Sequence, residues 1–156
     1  MKQISPWTRK NLHIQGFTDY SDTELNELKY GIRFAYLGCA TVVAIGLALK
    51  SIPVLGIAML IAFLAVVLPH HPFDYLYNAF VYRLLQKPKA PIRTSQGKFA
   101  CGIATAWLAG VIILLHYSYP LAANLLGAVL LLQAFTVGTI DFCVPSRIFN
   151  ALFRKK

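Results

Sequence analysis

The sequence predicts an all-α membrane protein: four transmembrane helices in two helical hairpins, each hairpin followed by a cytoplasmic interfacial helix. Three observations carry that expectation. Apolar residues make up 57% of the 156-residue chain and charged residues 13%, about half the ~25% charged share of soluble domains. The apolar residues are gathered into four blocks without charge, residues 34–49, 52–68, 99–115 and 121–140, each near the ~20 residues that cross a bilayer. The basic residues fall outside those blocks, nearly all on one side. A single water-soluble core of this length could not bury so much apolar surface.

Taken in order, residues 1–20 are polar with scattered aromatics and form a cytoplasmic N-terminal arm; residues 21–156 form one four-helix membrane domain. Ser21-Asp22-Thr23-Glu24 is a capping box, in which the serine caps and the glutamate reaches back. It opens a long helix whose membrane part is expected at about 31–49, with Arg33 extending toward the headgroups. Lys50-Ser51-Ile52-Pro53 makes a tight turn into a second span at about 52–68, Pro53 suiting the first helical turn. Residues 73–86 then alternate apolar Phe73, Leu76, Tyr77, Phe80 and Leu84 with polar Asp74, Asn78 and Arg83, the pattern of a helix lying in the interface. Lys87-Pro88-Lys89-Ala90-Pro91 cannot continue it. Spans at about 99–116 and 121–140 repeat the arrangement across a Tyr117-Ser118-Tyr119-Pro120 turn, and a second interfacial helix is expected at about 146–154.

The two halves share a local pattern. Asp74-Tyr75-Leu76-Tyr77-Asn78-Ala79-Phe80 aligns with Ser146-Arg147-Ile148-Phe149-Asn150-Ala151-Leu152, and both segments follow a hairpin with proline in its turn. A tandem repeat with a pseudo-two-fold along the membrane normal follows.

The net charge of +9 would suggest nucleic acid in a soluble protein, but no aromatic-basic recognition motif is present. Of the fifteen basic residues only Lys50 lies in a short turn, so fourteen share one face, and the positive-inside rule makes that face cytoplasmic. The expected location is the bacterial cytoplasmic (inner) membrane with both termini inside. The lipid bilayer is the expected partner, with a membrane protein or a second copy as further candidates and no cofactor. The first thirty residues lack an apolar signal core, so the N-terminus is expected to be kept. Cys39, Cys101 and Cys143 avoid both outer turns, which argues against a structural disulfide on the oxidising side.

His70-His71-Pro72-Phe73-Asp74-Tyr75-Leu76-Tyr77-Asn78 and Phe142-Cys143-Val144-Pro145-Ser146 resemble a bacterial membrane family, domain of unknown function 4395, over roughly residues 22–154. The resemblance implies the topology above and no established activity. Some members carry a second cysteine near the C-terminal motif; Ser146 stands here instead, which weakens any dithiol reading.

Candidate chemistry gathers at the cytoplasmic boundary. Cys143, followed by Ser146 and Arg147, is the candidate reactive thiol, because a helix N-terminus and a nearby cation lower a thiol pKa. The bland alternative is a packed cysteine with Ser146 as a helix N-cap. His70, His71, Asp74 and Cys143 are weak metal-ligand candidates, and no metal is favoured. Asp74, Asn78, Arg83, Asp141, Arg147 and Asn150 form an expected structural cluster, with Asp74 and Asp141 pairing Arg83 and Arg147. Heme between histidines is disfavoured, since His116 lies on the opposite side from His70 and His71. No span carries an acid, lysine or histidine at mid-depth, which disfavours transport by a buried ionisable relay. The expectation is therefore an accessory module binding a membrane protein or lipid; the alternatives are a thiol protein using Cys143 and, more weakly, an oligomeric small-solute carrier.

Overall fold

A computed structural model describes residues 4–153. The first three residues of the expected arm and position 154 of the second interfacial helix lie outside the described residues. Those residues form seven helices and no strand: α1 Pro6–Ile14, α2 Asp22–Ala48, α3 Ile52–Val67, α4 Pro72–Leu84, α5 Ser95–His116, α6 Pro120–Ile140 and α7 Val144–Phe153.

Local chemistry sets the helix boundaries. Ser21 and Glu24 close the capping box at the start of α2. Ser51 caps α3 and Thr94 caps α5, each accepting an N–H from the first turn. Pro53 and Pro120 stand in the first turns of α3 and α6, where a missing N–H costs nothing. Helices α2 and α5 end alike. Ser51 N–H reaches Gly46 O and Lys50 N–H reaches Leu47 O; Tyr119 N–H reaches Leu114 O and Ser118 N–H reaches Leu115 O. This is the Schellman pattern, with Lys50 and Ser118 left-handed at φ 49° and 62°.

Helices α2, α5 and α6 are long and apolar enough to cross a membrane. Helix α3 has 16 residues and turns through 84° into α4 at the break between them; taking that bent pair as one span brings the number to four. Helix α4 contains a π-helical stretch, Tyr77–Val81.

The most extensive packing joins the two halves of the sequence: α3 lies along α5 and α2 along α6. Within the halves, α2 packs on α3 and α5 on α6, while α4 rests on α2 and α7 on α5. Val43, Leu55, Ala58, Leu108, Val111 and Ala123 form the central core. Small residues let helices approach closely. At Gly138 a Cβ would stand 2.8 Å from Leu37 of α2, so α6 does use its glycine for contact. Gly56 has nothing within 4 Å and serves no such purpose.

Within the arm, residues 6–14 fold as α1, capped by Ser5 with Pro6 in its first turn, and Gly16 at φ 95° turns the chain away. Helix α1 docks on α7 and the end of α6. Trp7 Nε1 donates to Ile140 O (3.1 Å), Gln15 Nε2 to Asp141 O (2.8 Å), and Asn150 Nδ2 to Ile14 O (2.8 Å).

Candidate functional site

Helices α4 and α7 begin in equivalent ways. His71 is the N-cap of α4: its Nδ1 accepts the Phe73 N–H (3.2 Å), and Asp74 Oδ2 accepts the His71 N–H (2.9 Å). Cys143 immediately precedes α7, and its Sγ takes the Ser146 hydroxyl at 3.1 Å. Ser146 is therefore not the N-cap of α7, as the bland alternative had it; it sits three residues further in and caps back onto the sulfur. Asp74 likewise stands inside α4 rather than at its cap.

The ion pairs differ from expectation. Asp74 takes Arg93 in a fork, with Nε–Oδ2 at 2.8 Å and an Nη–Oδ1 contact at 2.7 Å, and the pair is buried. Asp141 takes Arg33, with Nε–Oδ1 at 2.9 Å. Arg83 instead donates to its neighbour Tyr82 (2.9 Å), and Arg147 donates to Asn11 (2.9 Å) over the Phe142 ring. The physical reason is reach. Arg83 stays with its neighbour Tyr82 and Arg147 turns to α1, whereas Arg93 and Arg33 enter from the start of the opposite half. Asn78 and Asn150 do not meet each other; Asn78 Oδ1 accepts the Ala90 N–H (2.7 Å), and Asn150 holds Ile14 O. Each asparagine thus pins the chain that leads into the other half's first helix.

The weak metal candidates do not converge. Asp74 has both oxygens committed to Arg93, His70 packs edge-on against Tyr75, and no group of three or more potential ligands forms among the described residues.

A different constellation forms. All three cysteines of the chain, Cys39 from α2, Cys101 from α5 and Cys143, line one cavity of about 350 Å³ together with His71 and Tyr36. His71 Nε2 lies 3.3 Å from Cys39 Sγ. Because Nδ1 is occupied as an acceptor, a neutral ring must carry its proton on Nε2. The capping bond thereby makes His71 a hydrogen-bond donor to the Cys39 sulfur. Burial, reinforced by Arg93, pushes the His71 pKa down to about 3, so the ring is neutral at pH 7. Arg93 lies over the Tyr36 ring at 5.3 Å.

Cys143 reverses the sequence expectation for its thiol. Burial pushes its pKa up; the Ser146 hydroxyl and N–H, and then Arg147, oppose the shift without overcoming it. The helix terminus and the cation act in the expected direction, and desolvation outweighs them.

A family profile for this arrangement matches residues 29–154. The chain belongs to the family described as domain of unknown function DUF4395. No curated protein and no solved structure matches the chain. The DUF4395 region holds every cavity residue named above, whereas Trp7, Asn11 and Gln15 of the docked arm precede it.

Sequence reasoning missed Cys39, Tyr36, Arg33 and Arg93 as members of the site. Cys39 looked like span packing, and Arg93 looked like linker charge. One usable signal was available: each boundary acid ends one half of the proposed repeat, and each of these arginines begins the other.

Proposed function

We propose that this DUF4395 protein is a four-span protein of the bacterial cytoplasmic membrane, both termini inside, whose function is thiol chemistry in a cavity buried at the cytoplasmic end of its helices. The topology takes α3 as the fourth span and reads the two halves as a tandem repeat. Support comes from the shared turn geometry at Lys50 and Ser118, the reciprocal packing of α3 on α5 and α2 on α6, and the matching roles of Asn78 and Asn150. Helices α4 and α7 are taken as interfacial. Leu76, Phe80 and Leu84 on one, and Ile148, Leu152 and Phe153 on the other, are exposed, as apolar faces seated in a headgroup region would be.

One observation carries the functional reading: three elements distant in sequence bring the chain's three thiols to a single cavity wall. Cys101 and Cys143 are the redox pair. Cys143 accepts the Ser146 hydroxyl, which favours its thiolate once a proton is removed, and Cys101 lines the same cavity. Cys39, held by His71, is the third sulfur and is available to exchange with Cys101.

The test is oxidation of the protein in nanodiscs by diamide. Two thiols lose two electrons and two protons to the reagent, and one S–S bond forms. Peptide mapping is expected to find Cys101 joined to Cys143, with the bond absent after Cys101→Ser. If all three thiols survive an excess of diamide in the folded protein, the thiol reading fails. The accessory-module reading, favoured by the exposed apolar faces of α4 and α7, would then stand.

A further inference from the structure

The thiol-lined cavity also has a mouth. Val129 of α6 and Val144 and Ile148 of α7 belong to its lining and are 54%, 40% and 43% exposed. The second half therefore opens the cavity sideways, between α6 and α7, on the surface that faces lipid in the proposed topology. Alanines make the space: Ala58 and Ala62 on α3, Ala100 and Ala104 on α5, Ala134 on α6. Each pair of four-residue spacing lies on one helix face, so α3 and α5 each turn a small face to the cavity.

The lining also says what can enter. It contains no carboxylate, lysine or arginine, and the nearest ion pair, Asp74 with Arg93, is closed on itself. A charged ligand would lose its hydration without a partner. The volume lies at the low end of ligand sites and suits a single ring with a short stretch of tail. Tyr36 and the three thiols line the cavity together. The other polar side chains there are His71 and Gln133, whose amide N–H is given to Phe142 O. Trp107 lines the wall, its N–H already given to Leu126 O.

We propose that the cavity admits a neutral quinone ring laterally from the bilayer, and that this ring is the electron acceptor for the Cys101–Cys143 pair. The proposal rests on the thiol reading above. A quinone suits the site because its oxidised and two-electron-reduced forms are both uncharged, so neither brings charge into an apolar cavity. Tyr36 donates to one ring carbonyl. The two thiols form one S–S bond, their two electrons and two protons pass to the ring oxygens, and the quinol leaves by the same mouth.

Trp107 supplies the readout. The chain has two tryptophans, so Trp7→Phe leaves Trp107 as the sole reporter. Ubiquinone-1 titrated into nanodiscs of that variant is expected to quench its fluorescence saturably. Under anaerobic conditions one quinol should appear for each pair of thiols lost. Filling the cavity by Ala104→Leu, or by Ala134→Leu should the first variant not fold, is expected to weaken the apparent affinity roughly tenfold or more. Cys101→Ser should keep the quenching and abolish quinol formation. Quenching that rises linearly with quinone, or that both filled variants retain, overturns the inference. Saturable quenching without quinol overturns it as well. The diamide experiment separates the two ideas: a Cys101–Cys143 disulfide formed by diamide but never by quinone leaves the thiol reading standing and removes this one.

Discussion

Asp74→Asn tests whether the site is held by buried charge. Asp74 is fully buried and Arg93 is 6% exposed, and their two hydrogen bonds measure 2.7 and 2.8 Å. The asparagine keeps the shape and can still accept the His71 N–H through its carbonyl oxygen. What changes is the charge: Arg93 is left buried without a counter-ion, a situation that costs about 3–5 kcal/mol. Arg9 and Asp22 provide an internal control. Their contact is 2.9 Å, but the side chains are 54% and 50% exposed, so Asp22→Asn should cost only ~0–1 kcal/mol. The contact lengths are nearly equal, while burial and the second bond of the fork set the pairs apart. Reversible unfolding by SDS in mixed micelles measures both variants, and Arg93→Gln added to Asp74→Asn should recover a substantial part of the loss. Two outcomes refute the reasoning: Asp74→Asn costing no more than Asp22→Asn, or the Asp74 and Arg93 changes adding without interaction.

Three other outcomes are expected. His71 is neutral in the fold with a pKa of about 3 against an ordinary value near 6.5. The unfolded chain therefore binds a proton that the fold does not, and stability declines as pH falls from about 6.5 toward 3. The contribution at pH 5 is roughly 2 kcal/mol below that at pH 7, and a His71→Gln curve parallel to the native one would contradict it. Cys143 should alkylate more slowly at pH 7 than free N-acetylcysteine, because burial raises its pKa, and Ser146→Ala should slow it further; faster alkylation of either protein counts against this account. Gly31→Ala would bring a Cβ to 2.9 Å from Ala90 Cβ and 3.0 Å from its Cα, where backbone cannot yield, and should cost about 1–3 kcal/mol. Gly56→Ala meets open space and should be neutral or stabilising by up to ~1 kcal/mol; equal melting temperatures for the two would show the contact to be unimportant.

The helices were legible because their signals are local. An uncharged run of membrane length, the Ser21–Glu24 box and the turn prolines each act within a few residues, and each appears at its expected place. Helix α1 had the same kind of signal, Ser5-Pro6 at its start and Gly16 past its end, hidden within a polar stretch too short to attract a helical reading. The ion pairs were not legible, because Asp74 and Arg93 are joined by the way the halves interlock and not by helix spacing. Pairing each acid with an arginine of its own helix is the local guess, and the tertiary arrangement overrode it. Cys39 shows the same limit. Nothing around it in sequence marks it out, and it becomes part of a site only because α2 carries it against the cap of α4.

In the proposed repeat, the difference between the halves is where the scaffold acquires chemistry. In the first turn of α4 a carboxylate, Asp74, both accepts the N–H of the cap residue His71 and binds an arginine. At the matching place in α7 stands Ser146, which can cap but cannot pair a cation. The acid of the second half is found instead at Asp141, in the left-handed cap of α6 with φ 61°, a conformation aspartate tolerates better than most residues. From there it holds Arg33. The shift keeps one acid–arginine pair at each junction while removing a carboxylate from beside Cys143, and none is among the groups acting on that thiol. A negative charge three residues into α7 would oppose the thiolate that Ser146 and Arg147 favour. Counting from the turns at Lys50 and Ser118, Ala104 likewise stands where the first half has Tyr36. One half thus supplies Tyr36 and the other a small Ala104 to the same cavity, which is lined by what differs between the halves.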